Sequence, residues 1–143
     1  MPGLIRISEG ASLALHAMLL MAHESGRSLT TKVMAETLGV STAHLSKVIQ
    51  RLHRANLITS TRGPRGGSRL ARDPSTITLL EIYETIEGPL SETGCLLPQP
   101  LTQGTCCLFG TLLRDLNERI RREFAARTLR EASQALKEQG CRN

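Results

Sequence analysis

Four cysteines give this chain its widest choice of chemistry. Cys95, Cys106 and Cys107 lie within or beside a stretch rich in proline and glycine, and Cys141 lies near the end of the sequence. A thiolate binds soft metal ions and iron–sulfur clusters, and it also forms disulfides. Structural disulfides are uncommon in the cytoplasm, where we expect this protein, so metal, cluster or redox chemistry is the first expectation for these residues.

Histidine is the other residue type that could complete a metal or catalytic site. The four histidines have no metal-site spacing with the cysteines: His16, His23, His44 and His53. The chain also has no nucleophile–base pair, no paired-carboxylate site and no phosphate-binding glycine loop. The sequence therefore predicts no enzymatic activity. A lone histidine in an apolar helix, such as His16, is more often an ordinary polar residue than a ligand.

A second set of side chains has the chemistry of base recognition. Small, amide and cationic side chains share one side of a predicted helix: Thr42, Ala43, Ser46, Lys47 and Gln50. The other side is apolar: Leu45, Val48, Ile49 and Leu52. Such a helix fits the major groove of DNA, where base edges are read. A shorter helix from Thr31 precedes it, Gly39 marks a turn, and Ser41 can cap the second helix, which is the pattern of a helix-turn-helix.

A predicted β-hairpin with arginines follows the second helix. Residues 57–62 are β-branched and extended, residues 63–67 must turn, and residues 68–72 return. Gly66 and Gly67 supply positive φ or close backbone approach. The positive charges along the hairpin are Arg62, Arg65, Arg69 and Arg72. A helix-turn-helix followed by this hairpin predicts a winged helix with a two-stranded wing.

The charge distribution agrees with DNA binding. Residues 31–72 contain eight Lys or Arg and one acid, a net charge of +7, whereas the rest of the chain carries −2. A phosphate-binding face needs such a concentration, because each neutralised phosphate releases a counterion. The predicted DNA contacts are Thr31, Ser41, Thr42, Ala43, His44, Ser46, Lys47, Arg51, Arg62, Arg65 and Gly67.

Apolar periodicity predicts further helices on both sides of this unit. One spans Ile7–Met21 with Ser8 as its cap, and another spans Ile77–Ile86. Residues 88–106 lack periodicity, and long loops of this kind are usually functional. A single helix is predicted from Leu108 to about Lys137, with a narrow apolar stripe: Leu112, Leu116, Ile120 and Phe124. We expect the same helix of a second chain to cover this stripe in a homodimer.

Composition indicates the fold class. The chain of 143 residues has only three aromatic residues, so its core must be aliphatic, which suits helices. No apolar run is long enough to cross a bilayer and no signal-peptide pattern is present, so we expect a cytoplasmic protein. The predicted fold is mainly α, a winged helix-turn-helix with a long C-terminal dimerisation helix. We divide it into a DNA-binding domain (1–87), a cysteine-bearing sensor loop (88–107) and a dimerisation helix and tail (108–143).

These features resemble the Rrf-two family of bacterial winged-helix transcription regulators, typified by IscR, NsrR and CymR. The resemblance covers essentially the whole chain and rests on three stretches: Arg6-Ile-Ser8, Arg62-Gly-Pro-Arg-Gly-Gly67 and Cys107-Leu-Phe-Gly-Thr-Leu-Leu-Arg-Asp-Leu116. It implies a homodimer that crosses through the long helix. It also implies that the cysteine loop lies between the sensor end of that helix and the partner's DNA-binding half.

The resemblance suggests a role for the cysteines, because many members hold an iron–sulfur cluster with loop cysteines and a ligand from the N-terminal helix. Cys95 and Cys107 are similar to the outer pair, whereas residues 96–105 contain no cysteine. The leading expectation is a [2Fe–2S]-type cluster on Cys95, Cys107 and either Cys106 or His16. The alternatives are a metal-free disulfide from Cys95 to Cys106 or Cys107, and simple packing of these side chains under the loop. Cys141 is expected to take no part.

The predicted function is that of a dimeric transcriptional regulator, expected to be a repressor. It would bind a pseudo-palindromic DNA operator and respond to redox, iron–sulfur, nitric-oxide or sulfur status. The alternative is a protein-interaction module that regulates a partner enzyme through the long helix and carries an incidental basic segment. Sequence-selective, salt-dependent binding to duplex DNA distinguishes the two, since an incidental basic face has no preferred sequence.

Overall fold

The computed structural model describes residues 7–24, 26–90 and 108–139. The helices and strands in these ranges are α1 Glu9–His23, α2 Thr31–Leu38, α3 Thr42–Arg54, β1 Ile58–Thr61, β2 Gly67–Leu70, α4 Leu79–Glu87, α5 Leu108–Ala126 and α6 Leu129–Gln139. A short 3₁₀ helix, Pro74–Thr76, precedes α4. None of the described helices combines the length and apolarity needed to span a membrane. The prediction of a mainly α protein with a two-stranded wing is confirmed.

Helix α1 lies at the centre of the packing. Its predicted cap is confirmed, because the Ser8 Oγ accepts a hydrogen bond from the backbone N–H of Ala11 at 3.1 Å, and the helix begins at Glu9, two residues after the predicted start at Ile7. Its alanines, among them Ala14 and Ala17, are fully buried, as is Met18. Helices α2, α3, α4 and α6 and strand β2 all pack against it. Short side chains on α1 let these neighbours approach closely, so one helix supports both the DNA-binding elements and the C-terminal helices.

The helix-turn-helix and the wing form as the sequence predicts. Thr30 caps α2, and Gly39 ends it at a φ of 67°, in the left-handed region that favours glycine. Strands β1 and β2 pair antiparallel, with Ile58 opposite Leu70. The wing is also attached to the α1–α2 connection, because Leu29 and Ser68 exchange two backbone hydrogen bonds of 2.9 and 2.8 Å.

The prediction of one helix from Leu108 to about Lys137 is wrong, because α5 ends at Ala126 and a new helix begins. The new start is a capping box. The Thr128 Oγ1 accepts from the backbone N–H of Glu131 at 3.3 Å, and the Glu131 carboxylate accepts from the backbone N–H of Thr128 at 2.7 Å. The backbone N–H of Thr128 first, and its hydroxyl next, hydrogen-bond to this carboxylate and hold the pKa of Glu131 below its usual value.

Beyond this break the chain turns back toward its N-terminal half. Leu129 is fully buried, and its backbone N–H donates to the Ile77 carbonyl at 2.8 Å. The Leu79 N–H donates in turn to the Arg127 carbonyl at 3.0 Å. Helix α6 therefore packs on α1 and on the 3₁₀ helix, and it belongs to the same core as the winged helix.

Candidate nucleic-acid interface

Helix α3 presents a polar face to solvent because its apolar face is fixed in the core. The Ser41 Oγ accepts from the backbone N–H of His44 at 3.2 Å and sets the first turn. The core-facing residues are buried: Leu45, Val48, Ile49 and Leu52. The predicted base-reading residues Thr42, Ala43 and Lys47 are exposed, and Ser46 is half-buried. The structure thus leaves the first two turns of α3 accessible to a major groove.

His44 lies close to a residue of another helix. Its Nδ1 lies 3.4 Å from Oε1 of Glu9, in the first turn of α1. The contact places a carboxylate beside His44 at the start of α3. Thr31, another predicted contact, is half-buried in the first turn of α2.

The wing carries exposed arginines on a rigid turn. Arg62 and Arg65 lie in the connection between β1 and β2, and Arg69 lies on β2 opposite Thr59. Gly63 has a φ of 112°, and the Gly66 N–H donates to the Gly63 carbonyl at 2.9 Å. The turn therefore holds the guanidinium groups away from the body of the protein.

Two glycines of the wing are required by the approach of other backbone atoms. A Cβ on Gly66 would lie 2.3 Å from the Thr61 carbonyl oxygen, and one on Gly67 would lie 2.8 Å from the backbone of Leu29. Gly67 also has a φ of 142°. The sequence predicts Gly67 as a DNA contact, but in the structure this residue permits the wing to pair with Leu29.

Two arginines of the positively charged segment 31–72 form contacts within the protein, and one of them, Arg51, is a predicted DNA contact. The Arg51 Nη2 donates to the backbone carbonyl of Ile86 at 2.7 Å, near the end of α4. The Arg72 guanidinium is paired with the carboxylate of Glu81. Arg51 therefore connects α3 to α4 through one guanidinium nitrogen, and because the residue is exposed, its contact with DNA stays a prediction.

The remaining cations make this face positive. Six of them take part in none of the ion pairs found among the described residues: Lys32, Lys47, Arg54, Arg62, Arg65 and Arg69. All six are exposed. Clustered positive charge of this kind attracts the DNA backbone at long range and neutralises phosphates on contact.

Of the candidate cluster ligands, the structure describes His16, whereas Cys95, Cys106 and Cys107 lie outside the described residues, as does Cys141. His16 is exposed on α1, and its Nδ1 lies 2.7 Å from the backbone carbonyl of Ser12. No group of three or more His, Cys, Asp or Glu side chains in residues 7–24, 26–90 and 108–139 could hold a metal ion.

Helix α5 exposes an apolar stripe, although not quite the predicted one. Phe109 is 61% exposed, Leu112 56% and Leu116 37%, while Ile120 is half-buried. The ring of Phe124 instead packs edge-on against Tyr83 of α4, with centroids 6.0 Å apart. Phe124, predicted in the dimer interface, thus contributes to the core of its own chain, and Phe109 extends the exposed stripe in its place.

Arg121 of α5 contacts Leu90, the last residue that the structure describes before residue 108. Its Nη2 donates to the backbone carbonyl of Leu90 at 2.7 Å, and Leu90 is buried. Neither this contact nor the contact of Glu9 with His44 has a local sequence signal, because the paired residues are far apart in the chain.

Comparison with known proteins gives a consistent result. The model of the Rrf2 (Rrf-two) family, described as an iron-dependent transcriptional regulator, matches residues 7–135. The HTH-type transcriptional regulator IscR of Vibrio vulnificus (strain YJ016) is 32% identical over 117 residues, which cover 81% of this chain and 70% of IscR.

Solved structures share the fold. CymR, the global cysteine regulator of B. subtilis, matches with a TM-score of 0.79 at 24% identity, covering 92% of this chain and 98% of CymR. The IscR of T. potens matches with a TM-score of 0.79 at 21% identity, covering 97% of this chain and 93% of that protein. The shared architecture extends over nearly the whole of both structures.

Proposed function

The chain belongs to the Rrf2 family of transcriptional regulators, and we propose that it acts as a homodimeric repressor on a pseudo-palindromic DNA operator. Its relatives are transcriptional regulators and not enzymes, and they favour DNA binding over an interaction module with an incidental basic segment. The protein is a DNA-binding transcriptional regulator. The sign of the regulation, the dimer and the symmetry of the operator are the parts that we propose.

The observation that carries this proposal is the pairing of an exposed polar helix face with an exposed basic wing. The first two turns of α3 offer hydroxyl and ammonium groups, and the wing offers Arg62 and Arg65. Hydroxyl and ammonium groups can hydrogen-bond to base edges, while arginines on a β-hairpin suit phosphates or a minor groove. Two copies related by a twofold axis would present two such units to two half-sites.

Selection of duplexes from a random pool tests the assignment of base-reading residues. We expect Lys47→Ala and Ser46→Ala to change the preferred sequence, because each good base contact contributes about 1–3 kcal/mol of discrimination. Arg65→Ala should instead weaken binding to every sequence. If the α3 variants select the wild-type sequence, α3 does not read the bases. A selected duplex placed over a reporter promoter then separates repression from activation.

We also propose that residues 88–107 form a sensor segment whose cysteines respond to redox or iron–sulfur status. The geometry of His16 supports the cluster form of this proposal. A carbonyl can only accept, so the short contact with Ser12 fits an Nδ1–H donor, which leaves the Nε2 lone pair for a metal. A [2Fe–2S] cluster held by Cys95, Cys107 and either Cys106 or His16 would supply one-electron redox chemistry.

Anaerobic purification followed by iron, sulfide and visible absorption analysis tests the sensor chemistry. Cys95→Ser and Cys107→Ser should abolish any iron-dependent colour, and Cys141→Ser serves as the control that keeps it. Colourless, iron-free wild-type protein whose DNA affinity changes on mild oxidation would instead support a disulfide from Cys95 to Cys106 or Cys107.

A further inference from the structure

A groove separates the C-terminal half of α3 from the wing. It has a volume of about 350 Å³, and it is lined on the helix side by Gln50, His53 and Arg54 and on the hairpin side by Ser60, Thr61 and Arg62. We call it the α3–β1 groove. The side chains of Gln50, His53 and Arg54 are exposed, so their polar ends are available to a ligand.

The backbone fixes the position of the two walls. Helix α3 ends at Arg54, and Asn56 adopts a left-handed φ of 57°, which asparagine tolerates better than most residues. The Leu57 N–H then donates to the Leu52 carbonyl at 3.1 Å, and both of these leucines are fully buried. The strand therefore leaves the helix at a set angle, and the groove is a preformed feature of the fold.

The lining has a consistent chemistry. Beside the apolar side chain of Ile49, the lining offers two guanidinium groups, an imidazole, two hydroxyls and an amide as hydrogen-bond donors, and no carboxylate is among the lining residues. The two guanidinium groups are donors with a positive charge, and a phosphodiester offers acceptors only and carries a negative charge. The groove therefore matches a phosphodiester.

The position of the groove in the fold also indicates a phosphodiester as its ligand. In the proposed function α3 enters a major groove and the wing approaches the adjacent minor groove, and the sugar–phosphate backbone is the ridge between those two grooves. That ridge must pass between α3 and the wing. We infer that the α3–β1 groove binds a backbone phosphate of the DNA, held by Arg54, His53 and Arg62. This inference rests on the proposed function, and it makes Arg54 and His53 positioning contacts that fix the register of α3 without reading sequence.

The test uses Arg54→Ala and His53→Ala in the full chain, with a duplex selected from a random pool by the wild-type protein and a mixed-sequence duplex of equal length. Each variant should lose affinity by the same factor for both duplexes. The slope of log affinity against log salt should fall by about 0.9 for each phosphate that the variant no longer neutralises. Arg54→Lys should restore most of the slope, because an ammonium also neutralises a phosphate.

Arg127→Ala is the matched control. Arg127 is exposed and paired with Glu123 between α5 and α6, so its removal changes the net charge equally without touching α3 or the wing. Its salt slope should equal that of the wild type. Ethylation of DNA phosphates gives a second readout. We expect one phosphate whose ethylation blocks binding of the wild-type protein, and ethylation of that phosphate should no longer affect binding of Arg54→Ala.

Three results would overturn the inference. An unchanged salt slope and ethylation pattern in both groove variants would show that no phosphate sits there. A changed sequence preference would show that the groove reads bases. Failure of the wild-type protein to select any duplex would contradict the proposed function itself, and the groove assignment with it.

Discussion

Asp73 joins two distant parts of the chain through a single carboxylate. It accepts from the Ser75 hydroxyl at 2.5 Å and from the Ser75 backbone N–H at 2.8 Å. The Arg130 guanidinium of α6 donates to both of its oxygens, at 2.8 and 3.0 Å. The Ser75 hydroxyl first, and Arg130 next, hold the pKa of Asp73 well below its usual range. The charged form of Asp73 therefore stabilises the contact between the 3₁₀ helix and α6.

This pKa predicts a loss of stability in acid. Because the pKa is lower in the folded than in the unfolded chain, the contribution is complete above the unfolded value of about 3.9 and disappears as pH falls toward the folded value. Asp73→Asn should lower the free energy of unfolding at pH 7 and flatten its decline below about pH 4, as measured by urea denaturation. Asp115→Asn on the exposed face of α5 is the control. Equal effects of the two substitutions would contradict the role of Asp73.

His16 decides between the two cluster ligand sets. If its Nε2 is a ligand, His16→Ala should abolish or markedly shift the visible spectrum of anaerobically purified protein, because imidazole and thiolate ligands give different cluster potentials and electronic structures. His23→Ala, which removes another exposed histidine of α1, should leave the spectrum unchanged. An unaltered spectrum in His16→Ala together with its loss in Cys106→Ser would assign the ligand to Cys106.

At the scale of elements, the start of α6 depends on its capping box. Thr128→Ala removes the hydroxyl that accepts from the Glu131 N–H and should reduce the free energy of unfolding by about 1 kcal/mol. Thr37→Ala is a suitable comparison, because that exposed hydroxyl donates to a carbonyl already used within α2 and its loss should cost less than about 0.5 kcal/mol. Equal costs would mean that α6 is held by packing alone.

Arg51 connects the recognition helix to the end of α4. Its hydrogen bond satisfies the Ile86 carbonyl, one of the last carbonyls of that helix, which otherwise lack partners. Arg51→Met keeps most of the side-chain length and should destabilise the fold by about 1 kcal/mol, a value reduced for solvent exposure. Its DNA binding should keep the wild-type salt slope, the opposite of Arg54→Ala. A reduced salt slope would show that Arg51 also neutralises a phosphate of the DNA.

For the whole molecule, the exposed stripe on α5 predicts self-association. Leu112→Asp should leave the protomer folded, because Leu112 is 56% exposed in a single chain, yet it would place a carboxylate in each half of the proposed interface at a cost of several kcal/mol. Sedimentation should then show folded monomers. Arg114→Asp, on nearly the opposite side of α5, should remain dimeric. A dimeric Leu112→Asp protein would place the interface elsewhere.

Elements whose signals are local can be predicted from the amino-acid sequence. Helix caps act over three residues, so Ser8 and Ser41 are predictable as N-caps, and both are confirmed. Apolar periodicity separates the buried from the exposed face of α3 within one helix, and glycines mark the turns of the helix-turn-helix and the wing. The Thr128-Leu-Arg-Glu131 capping box is equally local, and its pattern of Thr and Glu three residues apart marks the helix start that the prediction of a single helix missed.

Which charged and apolar side chains remain available to bind DNA or a second chain depends on how distant segments pack. Arg51 and Arg62 have the same chemistry in the sequence and both are exposed, yet Arg51 donates a hydrogen bond to the Ile86 carbonyl of another helix. Phe124 fits the α5 stripe, yet its ring packs against Tyr83. These outcomes depend on partners up to tens of residues away, which are brought near by the packing of α4 and α5 and of α3 and α4. A side chain's partners follow from the fold, whereas a sequence pattern specifies only its neighbours along the helix or strand.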